Sequence, residues 1–508
     1  MPLRKSLEDT HPLGCHGMTG HRHEGGDRCS GVRQARLPRA SNISQFVPFL
    51  VGLGAGLFWA LASLLRLRAS YGLGFDLGFY QQQIWLLSRG FTFGSMANLP
   101  VFLDHLSPVL YLFLPLADSP WLAPSLVVSQ AAAFGLATGI LAQRAVHVPS
   151  SRGLGAVVYF ILSPAAGFAL LFDFHPLLFG LPVLAGMLSL VERRGSQILI
   201  LLLLGASLAV REDVAVLAGL LVLIDERRRP RRRSVRWAAF VVIVGGIGYA
   251  LFGSMRLAAL GSPLQVRYAW VREFVTSPAI SHLDGVLTIH TLATLLVVFF
   301  PVVLAPRLIR LPTTILAMLT SAFFLAGEFI PADSMYYQYQ AVPVLLMAWS
   351  VGTPAGVAET RLRDYSLRVV AISIALAVAF GPMAIIRPPI QVNDRWLPRV
   401  IADQDRVVLH GLRGSIPVEA SVSASNTVST FFAQRRLIYD FPDPLTCNGR
   451  FTESRGATSY PDFVVVTELE TTDADIALIQ SLGYEMWKSL GGAAIYRAGP
   501  DPPPRVQC

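Results

Sequence analysis

The chain has 508 residues, 53% of them hydrophobic and 15% charged, with a mean hydropathy of +0.50. That balance excludes an ordinary water-soluble globule and points to a chain whose main solvent is a bilayer. The formal charge of +9 sits between apolar runs and is not spread over a soluble face, so it argues for membrane topology and against a nucleic-acid partner.

Residues 1–44 are basic, rich in Gly and His, and lack the apolar stretch of a cleavable signal peptide, which predicts a disordered cytoplasmic tail. The group Cys15, His16, His21, His23 and Cys29 fits no standard zinc spacing. A first span is expected over about Phe46 to Leu65, delivering an external loop over 70–106. Ser107 to Val146 is too long for one span and is broken at Pro115, Pro120 and Pro124, which predicts a short re-entrant or interfacial helix and then a crossing. Leu154 to Leu171 leads out to Phe172-Asp173-Phe174-His175-Pro176, and a fourth span returns to Arg193 and Arg194.

Ile198 to Val210 and Val214 to Ile224 are each shorter than a usual span, with Arg211-Glu212-Asp213 between them. Three ionisable residues in the middle of one long helix would each cost about 2.5 to 3.5 kcal/mol on insertion. Two short helices meeting at a wet turn avoid that cost. The arginine cluster from Arg227 to Arg236 reads as a cytoplasmic loop, followed by a span near Trp237 to Phe252. Further spans end near Arg307 and Arg310, climb toward Glu328 and Asp333, descend over Tyr336 to Val351, and leave over Val369 to Ile385. The fold class is therefore an all-α polytopic membrane protein of about eleven helices across 45–387, with the N-terminus cytoplasmic in the plasma membrane.

After Pro388 the composition becomes that of a soluble domain. Apolar strands at Ala420 to Ala424, Arg436 to Tyr439, Phe463 to Val466 and Ala493 to Tyr496, with a helix over Asp473 to Leu482, predict a small extracytoplasmic α/β domain over 388–508. Cys447 and Cys508 would share that external side, where a disulfide is permitted but not fixed by their spacing.

The threading gathers Asp76, Asp104, His105, Asp173, His175, Arg211, Glu212, Asp213, Glu328, Asp333 and Tyr336 through Gln340 on one side of the membrane. Ionisable groups at the edge of a helical bundle are functional candidates. Each also has an ordinary alternative. Glu328 and Asp333 can be solvated loop residues, His105 and His175 can serve only as hydrogen-bond partners of neighbouring helices, and the tyrosines can form an interfacial belt.

The series Phe75-Asp76-Leu77-Gly78, Asp104-His105-Leu106-Ser107-Pro108, Phe172-Asp173-Phe174-His175-Pro176 and Arg211-Glu212-Asp213, with Ser423-Ala424-Ser425-Asn426 in the external domain, resembles the polytopic family known as domain of unknown function 2079. That family is grouped with the GT-C glycosyltransferases. The resemblance implies transfer of a sugar from a polyprenyl-phosphate-linked donor to an envelope glycan, lipid or protein, with an acidic residue of the first external loop at the reaction centre. In that reading Asp76 is the base and Asp104 or His105 assists it. Arg211, Glu212, Asp213, Asp173, His175, Tyr336 and Gln338 line the donor phosphate site or its cavity. A divalent metal, Mg or Mn, is an open expectation, bound by Asp104 or His105, or by Asp173 and His175 with Glu212 and Asp213. The chain has neither the Trp-Trp-Asp signature of oligosaccharyltransferases nor the adjacent Asp-Glu pair of protein mannosyltransferases in this loop. Two other classes fit the same features: a transporter, which uses paired short helices as a substrate path, and a non-catalytic envelope scaffold.

Overall fold

The computed structural model describes residues 42–68, 75–147, 150–226, 233–259, 288–325, 338–353, 359–382, 414–446, 460–468, 470–490 and 492–500. Helix α1 (Asn42–Arg68) packs along α3 (Leu122–Val146). Glycines make this possible. Gly52 lies against Gly135 and Gly139, and Gly56 against Ala131 and Gly135, so the two helices run antiparallel with touching backbones. A Cβ on Gly52 would stand 2.6 Å from the Gly135 carbonyl oxygen, and one on Gly135 just as close to that of Gly52. Such small-residue stripes drive association where lipid removes the hydrophobic difference between helix surfaces.

The expected third span is broken. Ser163 ends α4 (Ser150–Leu162), and Pro164, which lacks an N–H, opens α5 (Pro164–Leu171) at a 40° bend. Two more apolar helices follow, α6 (Gly180–Glu192) and α7 (Gln197–Val210). Extended backbone at Arg211 separates α7 from α8 (Glu212–Glu226). The remaining helices of the bundle are α9 (Arg233–Ala259), α10 (Ile289–Leu304), α11 (Pro312–Leu325), α12 (Ala341–Val351) and α13 (Glu359–Phe380).

Among the described residues three helices are long and apolar enough to cross a membrane alone, within α1, α3 and α9, and the bent α4–α5 pair makes a fourth. α13 spans 22 residues but carries charged residues in its first turns, and the others are short. Fourteen residues, as in α7 and α11, rise about 21 Å, against a hydrocarbon core of about 30 Å. The outer faces of α1 and α9 carry exposed Phe46, Phe49, Leu57, Leu61, Phe240, Val241, Leu251 and Phe252, an apolar surface that a soluble protein does not present to water.

The bundle has two chemically different ends. At one, the C-termini of α3, α6 and α12 are tied by Arg144, which donates to both Glu192 carboxylate oxygens at 2.7 and 3.1 Å, to Trp349 O at 3.0 Å and to Thr353 Oγ1 at 2.8 Å. At the other, Arg66 near the C-terminus of α1 donates to Leu171 O at the C-terminus of α5, and Tyr249 of α9 donates to Phe102 O.

A helix, α2 (Phe75–Ser88), occupies the expected first external loop, followed by the strands β1 (Phe93–Gly94) and β2 (Leu99–Pro100) and a 3₁₀ helix over Pro108–Leu116. The C-terminal sheet runs β4-β3-β5-β7-β6. Strands β3 (Val422–Ala424), β4 (Ile438–Asp440) and β5 (Phe463–Thr467) are parallel, while β7 (Ala493–Ala498) is antiparallel to β5 and to β6 (Tyr484–Leu490). A capping box between Thr472 and Asp475 starts the helix over Asp473–Ser481. β6 was not among the expected strands, because its exposed positions carry Glu485, Met486 and Trp487, which breaks the apolar alternation.

The sheet packs on α2. Leu77, Phe79, Tyr80 and Ile84 share one buried cluster with Met96, Val422, Phe432, Ile438 and Val465. Ser95 Oγ donates to Ile438 O at 2.7 Å and accepts from Ile438 N at 2.9 Å, and Gln82 donates to Ser95 Oγ at 2.8 Å. Cys15, Cys29, Cys447, Cys508, Glu328, Asp333 and Tyr336 lie outside the described residues.

Candidate functional site

The cluster is built from two imidazole–carboxylate pairs. Asp76 stands in the first turn of α2, and its Oδ2 lies 3.2 Å from His175 Nε2; the side chains are 29% and 4% exposed, so the carboxylate is the accessible member. His175 belongs to the loop between α5 and the short 3₁₀ turn at Pro176–Phe179. Its ring stacks on Phe172 at 5.4 Å and meets the edge of Tyr80 at 6.0 Å. Burial pushes this imidazole below its ordinary value, while Asp76 pulls the other way.

The second pair joins His105 to Glu212. His105 Nδ1 and Glu212 Oε1 are 2.6 Å apart, and Leu106 N donates to the other carboxylate oxygen at 3.0 Å. The remaining ring nitrogen, Nε2, is 3.8 Å from Asp104 Oδ2. Glu212 reaches this position because the chain breaks at Arg211, which turns the first residue of α8 toward the 104–106 segment. Arg211 is buried, pairs with Asp213 Oδ2 at 3.0 Å, and lies over the ring of Tyr339 at 5.9 Å. Its charge acts on both pairs, since His175 and Glu212 each lie in its field.

Thus Asp76, Asp104, His105, His175, Arg211, Glu212 and Asp213 come together at one end of the bundle. Asp173 comes close in the chain but not in its contacts. It is fully buried, its carbonyl accepts from Gln130, and its carboxylate faces the field of Arg66. Gln338 is buried in a 3₁₀ turn beside Tyr339. Among the described residues no group of three or more His, Cys, Asp and Glu side chains is arranged to hold a metal ion. The Asp173 carboxylate lies in the field of Arg66, and His175 Nε2 faces Asp76. No step below runs through a metal.

Sequence reasoning missed Gln130, Arg66, Tyr249 and Tyr80. Arg66 alone carried a signal, a charge inside the last turn of an apolar helix.

The family described as a predicted membrane protein, DUF2079, matches residues 69–475 of this chain. Among solved structures, ArnT from Cupriavidus metallidurans bound to undecaprenyl phosphate is similar with a TM-score of 0.52 at 15% identity, over 89% of this chain and 99% of that one. The apo ArnT structure gives 0.43 at 12% identity, over 88% and 99%. The arabinofuranosyltransferase AftD from Mycobacteria gives 0.41 at 15%, over 88% of this chain and 40% of that one. Only the first of these bears on the fold, and at 15% identity it shows the fold alone. No curated protein matches the chain closely enough to count as a relative.

Proposed function

Because the chain belongs to the DUF2079 family of predicted membrane proteins, and its fold is similar to that of ArnT, we propose that it is a GT-C-type glycosyltransferase. It moves a sugar from a polyprenyl-phosphate-linked donor to an extracytoplasmic glycan, lipid or protein of the envelope. The observation that carries this reading is the partly exposed Asp76 carboxylate in the first loop of the bundle, 3.2 Å from the buried His175. The undecaprenyl phosphate in the similar ArnT structure supports a lipid phosphate as the donor class.

In the reaction Asp76 takes the proton of the acceptor hydroxyl, the acceptor oxygen bonds to the anomeric carbon, and the bond from that carbon to the phosphate oxygen breaks. The polyprenyl phosphate leaves with the electron pair, and Arg211 offsets its growing charge by exchanging Asp213 for the phosphate. His175 orients Asp76, while Glu212 holds His105 at the same centre.

The orientation follows from the positive-inside rule. The end bearing Arg144, Arg152, Arg193, Arg307 and Arg310 is cytoplasmic, and the end bearing Asp76 and the C-terminal sheet is extracytoplasmic. This reading keeps the threading of about eleven spans, in which the short helices cross a locally thinned or protein-buried layer. Mass spectrometry of envelope glycans and lipid-linked sugars from a deletion strain tests the function. One glycan should lose a sugar while its polyprenyl-linked donor accumulates. Unchanged profiles of both would overturn the reading.

A further inference from the structure

We propose that Gln130 is a positioning residue for the transfer, acting through His175 on Asp76. The proposal rests on the roles given to those two residues above. Gln130 lies inside α3, fully buried among Leu126, Val127, Ala131 and Phe134, a setting in which an amide side chain is costly unless every hydrogen bond is made.

All of its side-chain hydrogen bonds among the described residues go to the last turn of α5 and the short loop after it. Nε2 donates to Leu170 O at 3.2 Å and to Asp173 O at 2.8 Å, and Oε1 accepts from His175 N at 3.2 Å. The last turn of α5 is also held from α1, where Ser63 Oγ donates to Leu170 O at 3.0 Å and Arg66 to Leu171 O. Gln130 reaches the backbone of residues 173 and 175 themselves. Its helix packs on α1 through the glycine contacts at Gly52, Gly56 and Gly135, so the loop is referenced to a helix pair whose backbones touch.

The imidazole follows the loop, because its ring is stacked at 8° on Phe172 and its backbone N–H is one of the three bonds to Gln130. Losing those bonds frees the loop to drift, and the 3.2 Å approach of His175 Nε2 to Asp76 drifts with it. Misplacement by about 1 Å lowers a rate by up to about a hundredfold.

Gln130→Met keeps the length and bulk of the side chain and deletes all three bonds. The expected result is kcat lower by about ten- to a hundredfold with KM for the lipid donor within about twofold. The double variant Gln130→Met/His175→Asn should be no slower than His175→Asn alone, since both act through one group. Multiplicative losses in the double variant, or wild-type kcat in Gln130→Met, would overturn the proposal.

A second measurement needs no turnover: acylation of His175 by diethyl pyrocarbonate, read on its own peptide by mass spectrometry. It should be about tenfold faster in Gln130→Met at a temperature well below the melting point of both proteins, because the loop opens more often. Faster labelling in a protein that transfers no sugar would remove the transferase reading and leave the positioning of His175 standing. Unchanged labelling would overturn the positioning claim whatever the enzyme does.

Discussion

Glu212→Ala removes one side chain and strands two donors. In the native protein Glu212 and His105 are both buried, the carboxylate accepts from Leu106 N at 3.0 Å, and its other oxygen lies 2.6 Å from His105 Nδ1. Asp104 cannot take over, because it faces the other ring nitrogen at 3.8 Å. Removing one partner of a buried pair costs about 3 to 5 kcal/mol. Glu212→Gln keeps the shape and one acceptor oxygen but turns a donor toward one of the two partners, so the loss should be about 1.5 to 3 kcal/mol. Equilibrium unfolding in mixed detergent micelles should therefore rank wild type above Glu212→Gln and Glu212→Ala last. An alanine variant within about 1 kcal/mol of wild type, or a glutamine variant worse than alanine, would refute the account of this pair.

Gly135→Ala should destabilise the protein by about 1 to 3 kcal/mol through overpacking, since the new methyl would sit 2.6 Å from Gly52 O; Gly54→Ala, with nothing within 4 Å, is the neutral control in the same unfolding assay. Alkaline phosphatase fused after Arg497 should be highly active, and a silent phosphatase with a fluorescent cytoplasmic GFP at the same point would overturn the orientation. In the C-terminal sheet, burial and then Asp462 raise Tyr439 to about 12. The folded state thus favours the neutral phenol, and its contribution to stability is complete below the ordinary tyrosine value of about 10 and is lost as pH rises toward about 12. Unfolding followed by phenolate absorbance should show that loss, and Tyr439→Phe should reduce it.

That the chain is a mostly helical membrane protein was legible because apolar runs speak directly about a bilayer. The helix at Phe75–Ser88 was not. Leu77 to Leu86 are buried without interruption, because bundle, hairpin and sheet cover α2 on all sides, and a helix buried all round has no amphipathic period to read. The break at Ser163 and Pro164 is written in the proline, yet the bend it produces depends on what packs around it. At the site, Asp76, His105, His175 and Arg211 stood out as ionisable residues between apolar segments. Their pairing did not, because Asp76 meets His175 and His105 meets Glu212 only through the tertiary fold. Gln130 had no signal at all: a single amide in an apolar helix becomes informative only when its three hydrogen bonds are seen to end on the last turn of α5 and the loop after it.

The proposed role of Asp76 is to remove the acceptor proton in a transfer from a lipid-linked sugar. Its direct measurement is single-turnover release of polyprenyl phosphate by the purified protein in nanodiscs, with the donor that accumulates in the deletion strain and its envelope acceptor. Asp76→Asn keeps the shape of the side chain and removes the proton acceptor, so release should fall by about a hundredfold or more with donor binding retained, while Asp333→Asn should stay near wild type. Release by Asp76→Asn at the wild-type rate would contradict the account.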